Sequence, residues 1–125
     1  MNLISIIKAV EVFKPHVDKK ISPVLAYKIM KFMKAAETEV AFYDKSLLEI
    51  TEKYGERDEC GELKTENNRV FIKEDAIEEC NEKVQELQAM EVELSPIKFT
   101  LEELAQLEFS VKEMLLLDEL ILVGG

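Results

Sequence analysis

The sequence predicts a mainly α protein. Its centre is a long antiparallel helical hairpin with a small β-hairpin at the tip, covered by short helices from both termini. Three observations carry this. One apolar stripe recurs at spacings of three and four over about thirty residues, the period of a helix face. Gly (4) and Pro (3) are too scarce for a sandwich dense in turns. Two Ser/Thr-x-x-Glu signatures near the end each precede an apolar run, marking the starts of short helices.

The long helix starts at Ser22-Pro23, where serine suits the N-cap and proline the first helical position. Its stripe is Leu25, Ile29, Phe32, Ala36, Val40, Tyr43, Leu47, Ile50 and Tyr54. Some thirty-two residues at 1.5 Å each give a rod of roughly 48 Å. Gly55 stands where a helix C-terminal glycine belongs. Beyond a polar stretch, Glu62-Leu63-Lys64 and Arg69-Val70-Phe71-Ile72 flank Thr65-Glu66-Asn67-Asn68. Asn-Asn tolerates left-handed turn geometry and Val-Phe-Ile favours strands, so a short β-hairpin is expected. A second helix, about 74–90, places Glu74 and Asp75 in its first turn and aligns Ile77, Cys80, Val84 and Leu87.

That helix is half as long as its partner, so the first half of the long helix needs cover from the termini. Residues 3–13, with Ile4, Ile7, Val10 and Phe13, read as an amphipathic helix ending before Pro15, or as a strand, given their β-branched content. After Ser95-Pro96 an extended Ile97-Lys98-Phe99 leads to Thr100-Leu-Glu-Glu103 and Ser110-Val-Lys-Glu113. The organisation is one domain over 1–125: an N-terminal helix and basic connector (1–20), the hairpin with its tip (22–92), and C-terminal short helices (97–122).

At 125 residues the chain can bury a modest core, and 47% apolar with 34% charged residues exclude both disorder and a membrane-embedded class. No apolar run approaches the roughly 18 residues a membrane span needs. The apolar start has no basic region before it and no small-residue cleavage site, so no signal peptide is expected. Two thiols, Cys60 and Cys80, are too few for a disulfide framework and fit a reducing compartment. Cytoplasmic localisation is the expectation.

Charge is divided unevenly. Residues 1–35 hold seven Lys against Glu11 and Asp18, a net +5; residues 36–125 hold nine basic and twenty-four acidic side chains, a net −15. The acidic remainder repels phosphate backbones, which disfavours direct nucleic-acid binding. It could serve solubility alone, or it could imitate nucleic-acid charge toward a basic partner.

Chemistry-bearing constellations are sparse. The single histidine, His16, lies in the basic connector and reads as a solvent-exposed loop residue. Cys60 and Cys80 lack the further soft ligands of a zinc site; Cys80 fits a core position and Cys60 a loop. The acidic clusters lack both the Glu-x-x-His pairs of a di-metal bundle and the spacing of a calcium loop. No catalytic residue, metal or cofactor is expected. Two surfaces remain as partner-binding candidates. Glu78, Glu82 and Glu86, with Glu79 beside them, form an exposed acidic row at helical spacing. Leu116, Leu120 and Leu122 belong to an apolar C-terminal segment that is either core or an interface, including one between copies of the chain.

The run Leu25-Ala26-Tyr27-Lys28-Ile29, the stretch Lys53-Tyr54-Gly55-Glu56-Arg57-Asp58-Glu59-Cys60-Gly61-Glu62, the acidic helix after it and Leu101-Glu102-Glu103-Leu104 through Leu107 occur in a telling order. Over about residues 20–121 the chain resembles a family of small acidic helical proteins of unknown function encoded by phages and prophages of Gram-positive bacteria. Leu117-Asp118-Glu119-Leu120 departs from the Pro-containing close of that group. The resemblance carries no catalytic residue. It implies a viral accessory protein acting inside a bacterial host cell. The expected function is therefore non-catalytic binding that modulates or inhibits a host or defence protein. The alternative is a structural or assembly component of a phage particle working as a homo-oligomer.

Overall fold

The computed structural model describes residues 1–67, 69–94 and 97–121, and within them the chain is mainly helical with one small two-stranded antiparallel sheet. Helix α1 spans Leu3–Phe13, which decides between helix and strand for this segment. Asn2 caps it: its Oδ1 accepts from Ser5 N at 3.0 Å and from Ser5 Oγ at 2.6 Å. Pro15 has no N–H to continue the ladder, and the chain tightens into a 3-10 turn over Lys14–His16. Six of eleven residues in α1 are buried: Leu3, Ile6, Ala9, Val10, Val12 and Phe13. Contacts on several sides hold this β-branched sequence helical, because packing outweighs local propensity. The helix packs on the first half of the long helix and lies at the centre of the core.

Helix α2 runs Pro23–Tyr54, capped by Ser22, whose Oγ accepts from Leu25 N at 3.4 Å. Its expected stripe faces inward: Leu25, Ile29, Phe32, Ala36, Tyr43 and Tyr54 are buried, and Val40, Leu47 and Ile50 half-buried. Gly55 ends the helix for a reason other than left-handed geometry. Its backbone is extended, at φ −73° and ψ 145°. A Cβ there would meet Leu63 Cδ2 and Thr51 O at 2.6 Å and Val70 Cγ1 at 3.0 Å. Glycine is required for close approach.

That approach builds the tip. Strands β1 (Thr65–Glu66) and β2 (Arg69–Val70) pair antiparallel in the register Thr65↔Val70 and Glu66↔Arg69. Asn67 takes the left-handed turn conformation at φ 52°. Three backbone bonds then form a ring: Glu56 N donates to Phe71 O at 2.7 Å, Phe71 N to Lys64 O at 3.0 Å, and Lys64 N to Glu56 O at 2.8 Å. A two-residue ladder is too short to stand alone, and the ring ties it to the end of α2.

A 3-10 turn over Glu74–Ala76 leads into helix α3, Ile77–Gln88. Lys73 N donates to Tyr54 O at 2.9 Å and Gln88 Nε2 to Tyr43 Oη at 3.3 Å, so α3 runs back along the second half of α2. Its buried stripe is narrower than the sequence reading: Cys80 and Leu87 are covered and Val84 half-covered, while Ile77 is exposed. After α3 the chain crosses the start of α1, with Leu3 N donating to Met90 O at 2.8 Å and Val92 N to Met1 O at 2.9 Å.

Helices α4 (Leu101–Ala105) and α5 (Val111–Leu116) close the fold, each opened by a complete capping box. In α4 Glu103 N donates to Thr100 Oγ1 at 3.1 Å and Thr100 N to Glu103 Oε1 at 2.9 Å. The main core joins α1 and the first half of α2 to this C-terminal layer through Phe13, Phe32, Phe99, Leu104, Leu107 and Leu117. Phe13 is its hub, with ring centroids 5.7 Å from Phe32, 5.2 Å from Phe99 and 6.0 Å from Phe109. Each aromatic pair adds about 0.5–1.5 kcal/mol to simple burial. A smaller cluster of Leu3, Tyr43 and Leu87 joins α1, α2 and α3.

Candidate interaction surfaces

The acidic row lies on α3, whose inner face is fixed by Cys80 and Leu87. Glu78, Glu79, Glu82 and Glu86 are all exposed, Glu78 and Glu82 opposite that face and Glu79 and Glu86 on its flanks. One cation stands among them: Lys83 Nζ lies 3.7 Å from Glu86 Oε2, an exposed i,i+3 pair of the kind that contributes at most about 1 kcal/mol. Beside the row, Phe71 and Ile77 are each 46% exposed and line a shallow groove of about 880 Å³ with Val70 and Ile72. The site is thus a line of carboxylates bordered by two apolar side chains. Sequence reasoning missed that border. The sequence places Ile77 on the inner stripe and Phe71 in a strand without fixing its face.

The C-terminal candidates separate. Leu120 is buried, at 6% exposure, and Leu116 is half-buried against the same core cluster. Of the two alternatives for this segment, Leu120 takes the core position: its carbonyl accepts from Phe99 N at 2.7 Å and Phe99 itself is fully covered. Leu122 lies outside the described residues. The apolar surface of this region belongs instead to Val111 and Leu115, at 79% and 70% exposure. They stand four residues apart on one face of α5, away from Met114 and Leu117, and that i,i+4 spacing was the available signal.

A third surface was not foreseen. Between the connector and α2, His16, Val17, Lys19 and Ile21 face Ala26, Ile29, Met30, Met33, Lys34 and Glu37 across a groove of about 450 Å³. His16 is half-buried, not a solvent-exposed loop residue. Its ring stands edge-on to Phe109 at 5.0 Å, and Nδ1 is buried with no hydrogen-bond partner among the described residues. Burial and Lys19 push its pKa below the ordinary histidine value, against an opposing pull from Glu113. Residues 14–37, which hold this groove, carry six Lys against two acids, and one of them, Lys28, pairs with Glu103 of the acidic remainder.

Cys80 is buried and Cys60 exposed. Among the described residues no group of three or more His, Cys, Asp and Glu side chains converges, and no helix is long and apolar enough to cross a membrane. Comparison of the chain with protein-family models, curated proteins and solved structures finds no match.

Proposed function

We propose that this chain is a non-catalytic accessory protein of a phage or prophage that binds a host or defence protein and modulates or inhibits it inside the bacterial cell. The observation that carries the reading is the acidic face of α3. Glu78, Glu82 and Glu86 are exposed at i, i+4 and i+8, with Phe71 and Ile77 exposed at its border. Like charges at that spacing disfavour the helix by a few tenths of a kcal/mol per pair. Packing of Cys80 and Leu87 holds the face in place against that repulsion. A carboxylate line with apolar flanks suits a basic partner surface, where charge sets encounter rate and the apolar side chains slow dissociation.

The non-catalytic part of the reading rests on side-chain placement. The one imidazole packs against Phe109, one thiol is in the core and the other in the tip loop, and among the described residues no group of three or more His, Cys, Asp and Glu side chains converges. Catalytic groups are held in mutual reach, within hydrogen-bond distance of one another.

Pull-down from a Gram-positive lysate with the intact chain, repeated with Glu78→Gln/Glu82→Gln/Glu86→Gln, tests the surface. The expected partner is lost or weakened with the triple variant, and its on-rate falls steeply from low to physiological salt, where charges are screened beyond about 8 Å. A partner whose on-rate ignores both changes removes the acidic face from the binding site. The second reading, a homo-oligomeric component of a particle, is favoured by the exposed pair Val111 and Leu115.

A further inference from the structure

Two uncovered features lie at the same end of the molecule and complement one another. The groove along α2 has an apolar floor of Ile21, Ile29 and Met33, a lip that exposes Val17 (56%) and Met30 (44%), and Lys19 and Lys34 along it. Helix α5 presents Val111 and Leu115, the two most exposed large apolar side chains among the described residues. The features are neighbours. Phe109, two residues before α5, packs on His16, which lines the groove. Glu113 of α5 is close enough to His16 and Lys19 for each to act on its charge.

We propose that the chain forms a two-fold symmetric dimer in which Val111 and Leu115 of each copy enter the Met30/Met33 groove of the other. Adjacency is the first argument. When a protrusion and a groove share one face, a two-fold axis between them seats both protrusions at once, and the contact closes at two copies. Charge is the second. With Lys28 and Glu103 set aside, since they pair with each other within one chain, segment 14–37 has five Lys against Asp18 and Glu37, a net +3, and segment 97–121 has two Lys against five acids, a net −3. The contact therefore opposes unlike charges locally, although each whole chain carries −10. The third is the groove's make-up. Two methionines are unbranched and repack around an inserted side chain. Because the lip stays exposed, a bound acyl chain would keep one flank in water, whereas a helix supplies its own outer face. The dimer goes beyond the partner-binding reading: the acidic row on α3 takes no part in it, and its test uses other residues.

Sedimentation of the intact chain over a concentration series, at low and physiological salt, is the test. The expected result is a reversible monomer–dimer equilibrium. Val111→Asp/Leu115→Asp should weaken it by about tenfold or more, and Lys19→Glu/Lys34→Glu should weaken it most at low salt. All four positions are at the surface or rim, and unchanged circular dichroism and melting would show that the variants fold. A second arm mixes Met30→Cys with Leu115→Cys, each in a Cys60→Ser background; the expected disulfide joins one variant to the other. The proposal is overturned by a chain monomeric at every concentration, by a dimer indifferent to Val111→Asp/Leu115→Asp, or by species that grow beyond two. A monomer whose lysate partner is lost in that same variant would give the face to a foreign protein and overturn the dimer.

Discussion

Lys28 Nζ lies 2.7 Å from Glu103 Oε1, joining the second turn of the long helix to the capping box of α4. The same ammonium donates to Lys98 O at 3.0 Å, and the same carboxylate accepts from Thr100 N. One ion pair thus fixes the C-terminal layer onto α2 by holding both the start of α4 and the extended segment before it. Both side chains are largely covered, at 31% and 14% exposure, so solvent screens the pair less than an open surface bridge.

Glu103→Ala should cost about 1–3 kcal/mol, since it removes a cap and leaves Lys28 unpaired in a partly buried position. Lys28→Met, which keeps the apolar stem and the cap, should cost less. The acid limb has a definite sign. Burial works to raise the Glu103 pKa, but hydrogen bonds from Lys28 and Thr100 and the Lys28 charge outweigh it and hold the group below its ordinary 4.5. The stability it contributes is present above that value and is lost as pH falls through the lower folded value. Urea titrations at pH 7 and at successively lower pH should show wild type and Glu103→Gln converging in the acid range. Parallel curves would mean that the pair adds nothing to stability.

Gly55 and Gly61 are required for different physical reasons, close contact at one and backbone conformation at the other. Gly55→Ala places a methyl group 2.6 Å from Thr51 O and Leu63 Cδ2, and overpacking of this kind costs about 1–3 kcal/mol. Gly61 has φ +82° and open space within 4 Å, so its constraint is backbone conformation alone. Gly61→Asn should be close to neutral because asparagine tolerates the left-handed region, while Gly61→Ala should be destabilising by about 1 kcal/mol. Equal losses for Gly55→Ala and Gly61→Asn in chemical denaturation would contradict the distinction.

The parts of the fold that could be read from sequence are those set by local rules. Ser22-Pro23 and the two capping boxes determine helix starts through bonds within four residues, and all three form as those rules require. The α2 stripe was legible because thirty residues sample the helical period many times. Burial in short elements was not. Leu115, Leu116 and Leu117 are chemically alike, yet they are exposed, half-buried and buried, since one turn of helix leaves the choice of face to tertiary packing. The groove beside His16 was hidden for a related reason. It joins two segments whose approach depends on the turn after α1, and no spacing within either one announces it.

Core substitutions along α2 should grade with burial. Phe32 is 2% exposed and its ring meets Phe13, so Phe32→Ala should cost about 3–5 kcal/mol. Leu47 is half-buried at the edge of the smaller cluster, and Leu47→Ala should cost about 1–2 kcal/mol, below the usual range for a fully buried leucine. Denaturant midpoints measured at constant m value decide it. Losses under about 0.5 kcal/mol at both positions would place the stripe in water.

His16 gives the fold a second titrating group, one whose effect sets in below about pH 6.5. As the only imidazole in the chain, it can be followed directly by proton NMR. Its pKa is lowered first by burial against the α5 side of the molecule and then by Lys19, with Glu113 pulling the other way. The folded state therefore binds this proton less readily than the unfolded chain, whose histidine titrates near 6.5. By linkage, the stability tied to neutral His16 is fully present above about pH 6.5 and declines as pH falls through the lower folded pKa. The NMR midpoint should lie below 6.5, and Lys19→Gln should raise it while Glu113→Gln lowers it further. His16→Gln should flatten the stability profile in that window, leaving the loss at lower pH to carboxylates such as Glu103. A midpoint at or above 6.5 would mean that burial and Lys19 do not outweigh Glu113 at this imidazole.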